Sequence, residues 1–344
     1  MKNLHFIILL FAVSAATLSV AAQNPAGAVT VAEGVSKTTF RYAVHDGLEL
    51  FLDRYTASAA TETATVTETT AETADAAVAA PLRPCVIFVF GGGFFTGTRD
   101  AAKYAPFFGR LAESGCDVVS IDYRLGMRGV SNPNIFRAVL TLSRTVDMAV
   151  EDLSAATVFV LEHAHEWGID PARIVACGSS AGAITVLQAE NGLCNGSAAV
   201  AALPEGFDYG GVISFAGAIF SMSGAPSWHR APCPMLLFHG TSDSNVPYRR
   251  GSLLGVGFYG SATIAEQLHE MGSPYIFYSV DYGDHSLAED PMNDNFAIIE
   301  RFIREFVVAR RSLQVVERIC DSAHADRRTE FSISDYLGSN YNPR

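Results

Sequence analysis

Five residues, Gly178-Ser179-Ser180-Ala181-Gly182, set one hydroxyl among small neighbours, between an apolar run over 173–177 and a helical stretch over 181–190. A serine in a G-x-S-x-G turn from strand to helix is held in a strained conformation that lifts its oxygen above the sheet, and the flanking residues must be small because neighbouring backbone passes close. Ser180 is therefore the candidate nucleophile. The rival reading of the same five residues is a Gly/Ser helix cap with no reactivity.

A serine that attacks a carbonyl creates an oxyanion, which unblocked backbone N–H groups stabilise when aimed at it. Phe90-Gly91-Gly92-Gly93-Phe94 closes an apolar run over 85–90, and three glycines let the chain present such groups. Gly92 and Gly93, with the N–H of Ala181 at the helix start, are the candidate oxyanion hole. An ordinary flexible turn is the alternative; a phosphate loop would need the Lys-Ser/Thr that is absent here. The hydroxyl also needs a base, and the base needs a carboxylate to fix its tautomer. Among nine histidines, His285 follows the apolar run over 275–281, and Asp243 lies in the loop after the run over 234–239. The order Ser180, Asp243, His285 is that expected when one sheet supplies all three from successive strand ends. Asp284 competes as the acid, but a sequence neighbour of His285 is expected to cap the turn instead. His239 is expected to orient the Asp243 loop. His163, His165 and His269 fall in helical stretches and read as surface or packing residues, while His229 beside Trp228 is left open. Phe94 is a candidate substrate-binding residue, and Phe95 and Trp228 are further candidate walls.

These residues need elements to carry them. Apolar runs over 85–90, 117–122, 173–177, 211–216, 234–239 and 275–281 are continuous rather than alternating, which predicts parallel strands covered on both faces. Helices are predicted between them, over 101–114, 135–167, 181–190, 262–271 and 295–308. Ahead of them, two extended stretches over 38–44 and 48–55 flank His45-Asp46-Gly47 and predict a hairpin. The fold class is α/β: a mostly parallel, doubly wound sheet with an antiparallel N-terminal hairpin. In such sheets reactive groups gather at the carboxyl ends of the strands.

The first 22 residues combine Lys2, an apolar stretch over 6–13 and a small-residue end at Val20-Ala21-Ala22, the pattern of a cleavable signal peptide. The predicted organisation is a signal peptide over 1–22, a leader over 23–36, a catalytic domain over 37–311 and a C-terminal tail over 312–344, short-helical or frayed. Residues 56–80, almost entirely Ala, Thr and Glu, read as a disordered insertion too poor in apolar surface to order itself. Export, secreted or periplasmic, permits disulfides. The six cysteines show no metal-ligand spacing; Cys177 reads as a buried free thiol, and Cys194 with Cys233 as a possible bridge. With 24 Lys and Arg against 36 Asp and Glu, the net charge of −12 excludes a nucleic-acid binder, since counterion release needs clustered cations. No membrane contact is expected after signal cleavage.

In order along the chain, Val89-Phe90-Gly91-Gly92-Gly93-Phe94, Ser120-Ile121-Asp122-Tyr123-Arg124-Leu125, Gly168-Ile169-Asp170-Pro171-Ala172-Arg173-Ile174, the Ser180 turn and His239-Gly240-Thr241-Ser242-Asp243 resemble the α/β-hydrolase superfamily. Within it they resemble esterases with an HGGG-type oxyanion loop, including exported carbohydrate esterases of the feruloyl and acetylxylan kind. The resemblance covers roughly residues 38–308. It implies a serine hydrolase that works through an acyl-enzyme, with no metal and no organic cofactor, on a small-molecule or glycan ester. Phe90 stands where most such loops carry a bracing histidine. The stretch before Thr38 is short, which implies no large helical cap and an open cleft. Two other readings are a serine peptidase of the prolyl oligopeptidase kind, disfavoured by the lack of a propeller-length N-terminal region, and a binding protein of hydrolase fold with no turnover.

Overall fold

The computed structural model describes residues 29–32, 34–57, 81–130 and 135–331. The expected signal peptide and most of the Ala/Thr/Glu-rich insertion lie outside these residues. In chain order the strands are β1 (Val29–Ala32), β2 (Val35–His45), β3 (Leu48–Ala57), β4 (Arg83–Val89), β5 (Asp117–Ile121), β6 (Ile169–Ser179), β7 (Gly211–Phe215), β8 (Ala218–Ser221), β9 (Met235–Gly240), β10 (Arg250–Leu253), β11 (Val256–Gly260), β12 (Tyr275–Asp281) and β13 (Gln314–Cys320). The α-helices are α1 (Ala105–Glu113), α2 (Ile135–Trp167), α3 (Ala181–Asn195), α4 (Ser261–Glu270), α5 (Pro291–Asp294) and α6 (Phe296–Phe302).

Among the described residues, ten strands form one sheet in the order β1-β2-β3-β5-β4-β6-β7-β9-β12-β13. The first three pairings are antiparallel and the rest, from β5 onward, parallel. Every residue of β5, β7 and β9 is buried, as expected for strands sandwiched between helices. Phe107, Phe108 and Leu111 of α1 cover one side of this layer, and α3, nearly all of it buried, packs against β6 and β7. The hairpin closes on Asp46 and Gly47, both at positive φ (53° and 77°), the twist a two-residue connection requires.

The structure redraws three expected boundaries. β1 and the start of β2 fall in the stretch read as a leader, and Val35 of β2 is buried in the core. Thr56 and Ala57, assigned to the insertion, extend β3 against Ser36 and Val35. The segment after 311 is not a helical or frayed tail at its start: β13 adds to β12 in parallel, with Gln314 to Arg318 alternating between exposed and half-buried positions and Ile319 and Cys320 exposed. That alternation marks an edge strand, and its polar residues concealed it from a reading that sought continuous apolar runs. A second antiparallel sheet, β10-β11-β8, was also not foreseen. The expected bridge between Cys194 and Cys233 is absent; both thiols are free and buried. Buried Glu190 lies between them, its Oε1 accepting from the Cys233 N–H at 2.8 Å and from Cys194 Sγ at 3.6 Å. Among the described residues, no helix is long and apolar enough to cross a membrane.

Candidate active site

β6 ends at Ser179 and α3 begins at Ala181, leaving Ser180 as the whole turn. Its φ of 50° and ψ of −113° lie where a side chain is strained. Two close approaches enforce the flanking glycines. A Cβ on Gly182 would lie 1.9 Å from the Val89 carbonyl oxygen, and one on Gly178 would lie 2.3 Å from the backbone of Gly182. Ser180 does not cap α3 with its side chain. Its Oγ instead donates to Nε2 of His285 at 2.9 Å, and Nδ1 of His285 donates to Oδ2 of Asp243 at 2.7 Å. Sequence reasoning placed these residues at three strand ends, and the structure brings all three into one hydrogen-bonded chain.

Asp243 is held from every side. Its Oδ1 accepts from the N–H groups of Asn245 at 2.8 Å and Val246 at 2.9 Å. Burial alone would raise its pKa, but the His285 imidazole and hydrogen bonds from His239 and His285 outweigh burial and hold the carboxyl well below the usual carboxylate range. Buried His239 does orient this loop: Nε2 donates to the Val246 carbonyl at 3.1 Å and stands 3.4 Å from Asp243 Oδ2, while Nδ1 meets Ser261 Oγ at 2.8 Å. The Asp243 and His285 loops are stitched to each other as well. Ser242 N–H donates to Gly283 O at 2.8 Å, and Tyr282 N–H to Thr241 Oγ1 at 2.8 Å. Asp284 caps the His285 turn, its Oδ1 accepting from Ser286 N–H at 3.0 Å.

Opposite Ser180, the glycine loop turns at Gly92 (φ 128°), Gly93 (φ 62°) and Phe94 (φ 64°). A Cβ on Gly92 would lie 2.1 Å from the Thr96 carbonyl oxygen, so only glycine fits. Among the described residues, the N–H groups of Gly92, Gly93 and Ala181 meet no acceptor, which leaves them available to a ligand oxygen. The loop has no histidine brace. Phe90 is buried and packs on Tyr123 with ring centroids 4.5 Å apart, and the Tyr123 hydroxyl donates to the Phe90 carbonyl at 2.9 Å. Asp122, next to Tyr123, binds Arg99 at the far end of the loop at 2.6 Å, and Ser120 Oγ donates to the Arg99 carbonyl at 2.7 Å. The Ser120 to Tyr123 segment is thus the brace, a role its residue types did not announce.

A cleft of about 680 Å³ runs over Ser180 and His285. Its lining includes the glycine loop, Lys103, Tyr104, Asn245, Ser286 and Glu289. Lys103 and Glu289 form an ion pair with each other. Phe94 lines the cleft but is buried, its ring edge-on to Tyr123. Phe95, Trp228 and His229 are not part of the lining; the Trp228 indole donates to Gln267 at 2.9 Å and the His229 N–H to Asn195 at 3.0 Å. Tyr104, Asn245 and Ile184, which do line the cleft, carried no sequence signal. Among the described residues, no group of three or more His, Cys, Asp or Glu side chains is placed to hold a metal ion.

Strand order, the strained serine turn and the glycine loop after β4 define an α/β-hydrolase fold, and comparison with known proteins agrees. Residues 75–198 match the BD-FAE family model. The apo form of Thermogutta terrifontis esterase 2 superposes with a TM-score of 0.53 and 23% identity, over 80% of this chain and 95% of that one. Its propionate-bound form gives 0.55 and 24%, over 80% and 94%. Among curated proteins, Esterase B1 of Culex pipiens is 32% identical over 105 residues, covering 30% of this chain and 18% of that protein. Fumonisin B1 esterase of Sphingopyxis macrogoltabida is 35% identical over 106 residues, 29% and 18% of the two chains. The chain spans less than a fifth of the length of these curated relatives.

Proposed function

We propose that this protein is a serine carboxylic ester hydrolase. The observation that carries the reading is the unbroken chain from Ser180 through His285 to Asp243, in one cleft with Gly92, Gly93 and Ala181, whose N–H groups meet no acceptor among the described residues. Ser180 Oγ attacks the ester carbonyl as its proton passes to Nε2 of His285. Asp243 supports the imidazolium, and Gly92, Gly93 and Ala181 N–H groups receive the oxyanion. Collapse of the tetrahedral intermediate expels the alcohol, protonated by His285, and leaves an acyl-enzyme that water, deprotonated by the same imidazole, hydrolyses. Relatives named as esterases favour ester over peptide bonds. Asn245, Ser286 and Glu289 in the cleft lining offer hydrogen-bond partners to a hydroxyl-bearing alcohol. We take short-chain or carbohydrate-linked esters as the substrate class, and export by the N-terminal signal as the route to them.

A fluorophosphonate probe tests the mechanism: wild-type protein should label, and Ser180→Ala should not. Equal labelling of both would remove Ser180 from its role. Rates on p-nitrophenyl acetate, butyrate and octanoate, set against acetylated xylan, methyl ferulate and a peptide amide, test the substrate class; a preference for the amide would reject it.

A further inference from the structure

Beyond β13 the chain does not leave the fold but turns back across the loop that carries His285. Asp321 N–H donates to the Asp281 carbonyl at 3.1 Å, continuing the pairing of β13 with β12. A short turn over Ser322–His324 then brings Arg327 above the loop. One terminal nitrogen of its guanidinium, Nη1, donates to the Tyr282 carbonyl at 3.1 Å, and the other, Nη2, pairs with Asp284 Oδ2 at 3.0 Å. These two partners stand three residues and one residue before His285.

Tyr282 is a non-glycine residue at φ 63°, in a region where a side chain stays only when the surroundings hold it. Its N–H is tied to Thr241 of the Asp243 loop at 2.8 Å. Its carbonyl is tied to Arg327. The strained residue is therefore clamped at one end by the loop of the acid and at the other by the C-terminal segment. Asp284, the second partner, caps the single turn on which His285 sits.

We propose that Arg327 is a positioning residue for His285: the segment after β13 is a strap that keeps the imidazole within reach of both Ser180 and Asp243. The inference rests on the serine hydrolase reading above. Arg327 and Asp284 are both partly exposed, so the ion pair adds little to global stability, and its effect falls on the geometry of the loop. Proton transfer from Ser180 depends steeply on that geometry, with about 100-fold lost for a misplacement near 1 Å.

The test uses the full chain with Arg327→Ala, Arg327→Lys and Asp284→Asn, measuring kcat and KM on p-nitrophenyl acetate, the melting temperature, and the rate of fluorophosphonate labelling per folded molecule. Arg327→Ala should lower kcat and the labelling rate about 5- to 20-fold, with KM changed less than about 2-fold and melting by no more than about 2 °C. Arg327→Lys, which keeps the charge but not the two-pronged reach, should recover part of the loss. Asp284→Asn keeps a capping side chain and removes only the ion pair, so it should cost about 2- to 5-fold. Wild-type kcat in Arg327→Ala, or a loss that tracks melting rather than turnover, would overturn the strap. Absence of labelling in the wild type would overturn the Ser180 reading itself, and with it the inference.

Discussion

Replacing Asp243 by asparagine should do more harm than its small change in shape suggests, because the loop dictates which way the new amide must face. Oδ1 accepts two backbone N–H groups, from Asn245 and Val246. An amide NH2 placed there would set donors against donors, so the side-chain oxygen must take that position. The NH2 is then forced toward His285 Nδ1 and His239 Nε2, where Oδ2 stood at 2.7 and 3.4 Å. Facing a donor, His285 must turn its Nδ1 into an acceptor, and its remaining proton moves to Nε2. That nitrogen then donates to Ser180 Oγ and has no lone pair to take the serine proton. A wrong tautomer of this kind lowers kcat by about 10³- to 10⁴-fold. Asp243→Ala leaves the imidazole unsupported but free to hold either tautomer, so at neutral pH it should retain more activity than Asp243→Asn. Both are measured as kcat on p-nitrophenyl acetate at pH 7, with circular dichroism as a check of folding. Should the asparagine variant keep more than a tenth of wild-type turnover, or exceed the alanine variant, Asp243 does not set the tautomer of His285.

Ser180→Ala should lower kcat by about 10⁴- to 10⁶-fold, read against the uncatalysed rate with the same ester. Tyr123→Phe removes the hydroxyl that holds the Phe90 carbonyl and should cost about 0.5–1.5 kcal/mol in urea denaturation. It should also lower kcat several-fold as the glycine loop loosens; lost stability with kcat intact would separate the brace from the oxyanion donors. Burial raises the carboxyl pKa of Glu190 above its unfolded value, so its contribution to stability is full below about pH 4 and lost as pH rises through the folded value. Glu190→Gln should therefore gain stability relative to wild type between pH 5 and pH 8, and an equal difference at both pH values in urea titrations would refute this. Because Asp243 is held ionised well below the usual range, kcat/KM should fall on the acid side with the uptake of one proton, not two, and a two-proton slope would show that Asp243 takes up a proton in the same range.

How much of this could be read from the chain divides along a physical line. The parallel strands were legible because a strand buried on both faces carries mostly apolar side chains, and β12 and α2 have the predicted bounds. β13 was not, because an edge strand needs only half its residues covered, and Gln314 to Cys320 mixes charged with apolar positions. Ser180, Asp243 and His285 stood out for a related reason. Each lies within about four residues of a strand's end, so local sequence states which end of the sheet it occupies, and the topology does the rest. The residues that steady them carry no such mark. Tyr123 reaches Phe90 across 33 positions and Arg327 reaches Tyr282 across 45. A tyrosine or an arginine in a polar stretch looks the same whether it faces water or clamps a loop. Phe90 shows why the two kinds of residue separate. The oxyanion loop needs rigidity but not a particular group to supply it, so packing against Tyr123 can serve where a histidine is expected. Attack on a carbonyl needs a nucleophile, a base and fixed donors, and those positions admit few substitutes. Chemistry narrows the residue types at the reacting atoms, while support is defined by shape and distance, which emerge only when the chain is folded.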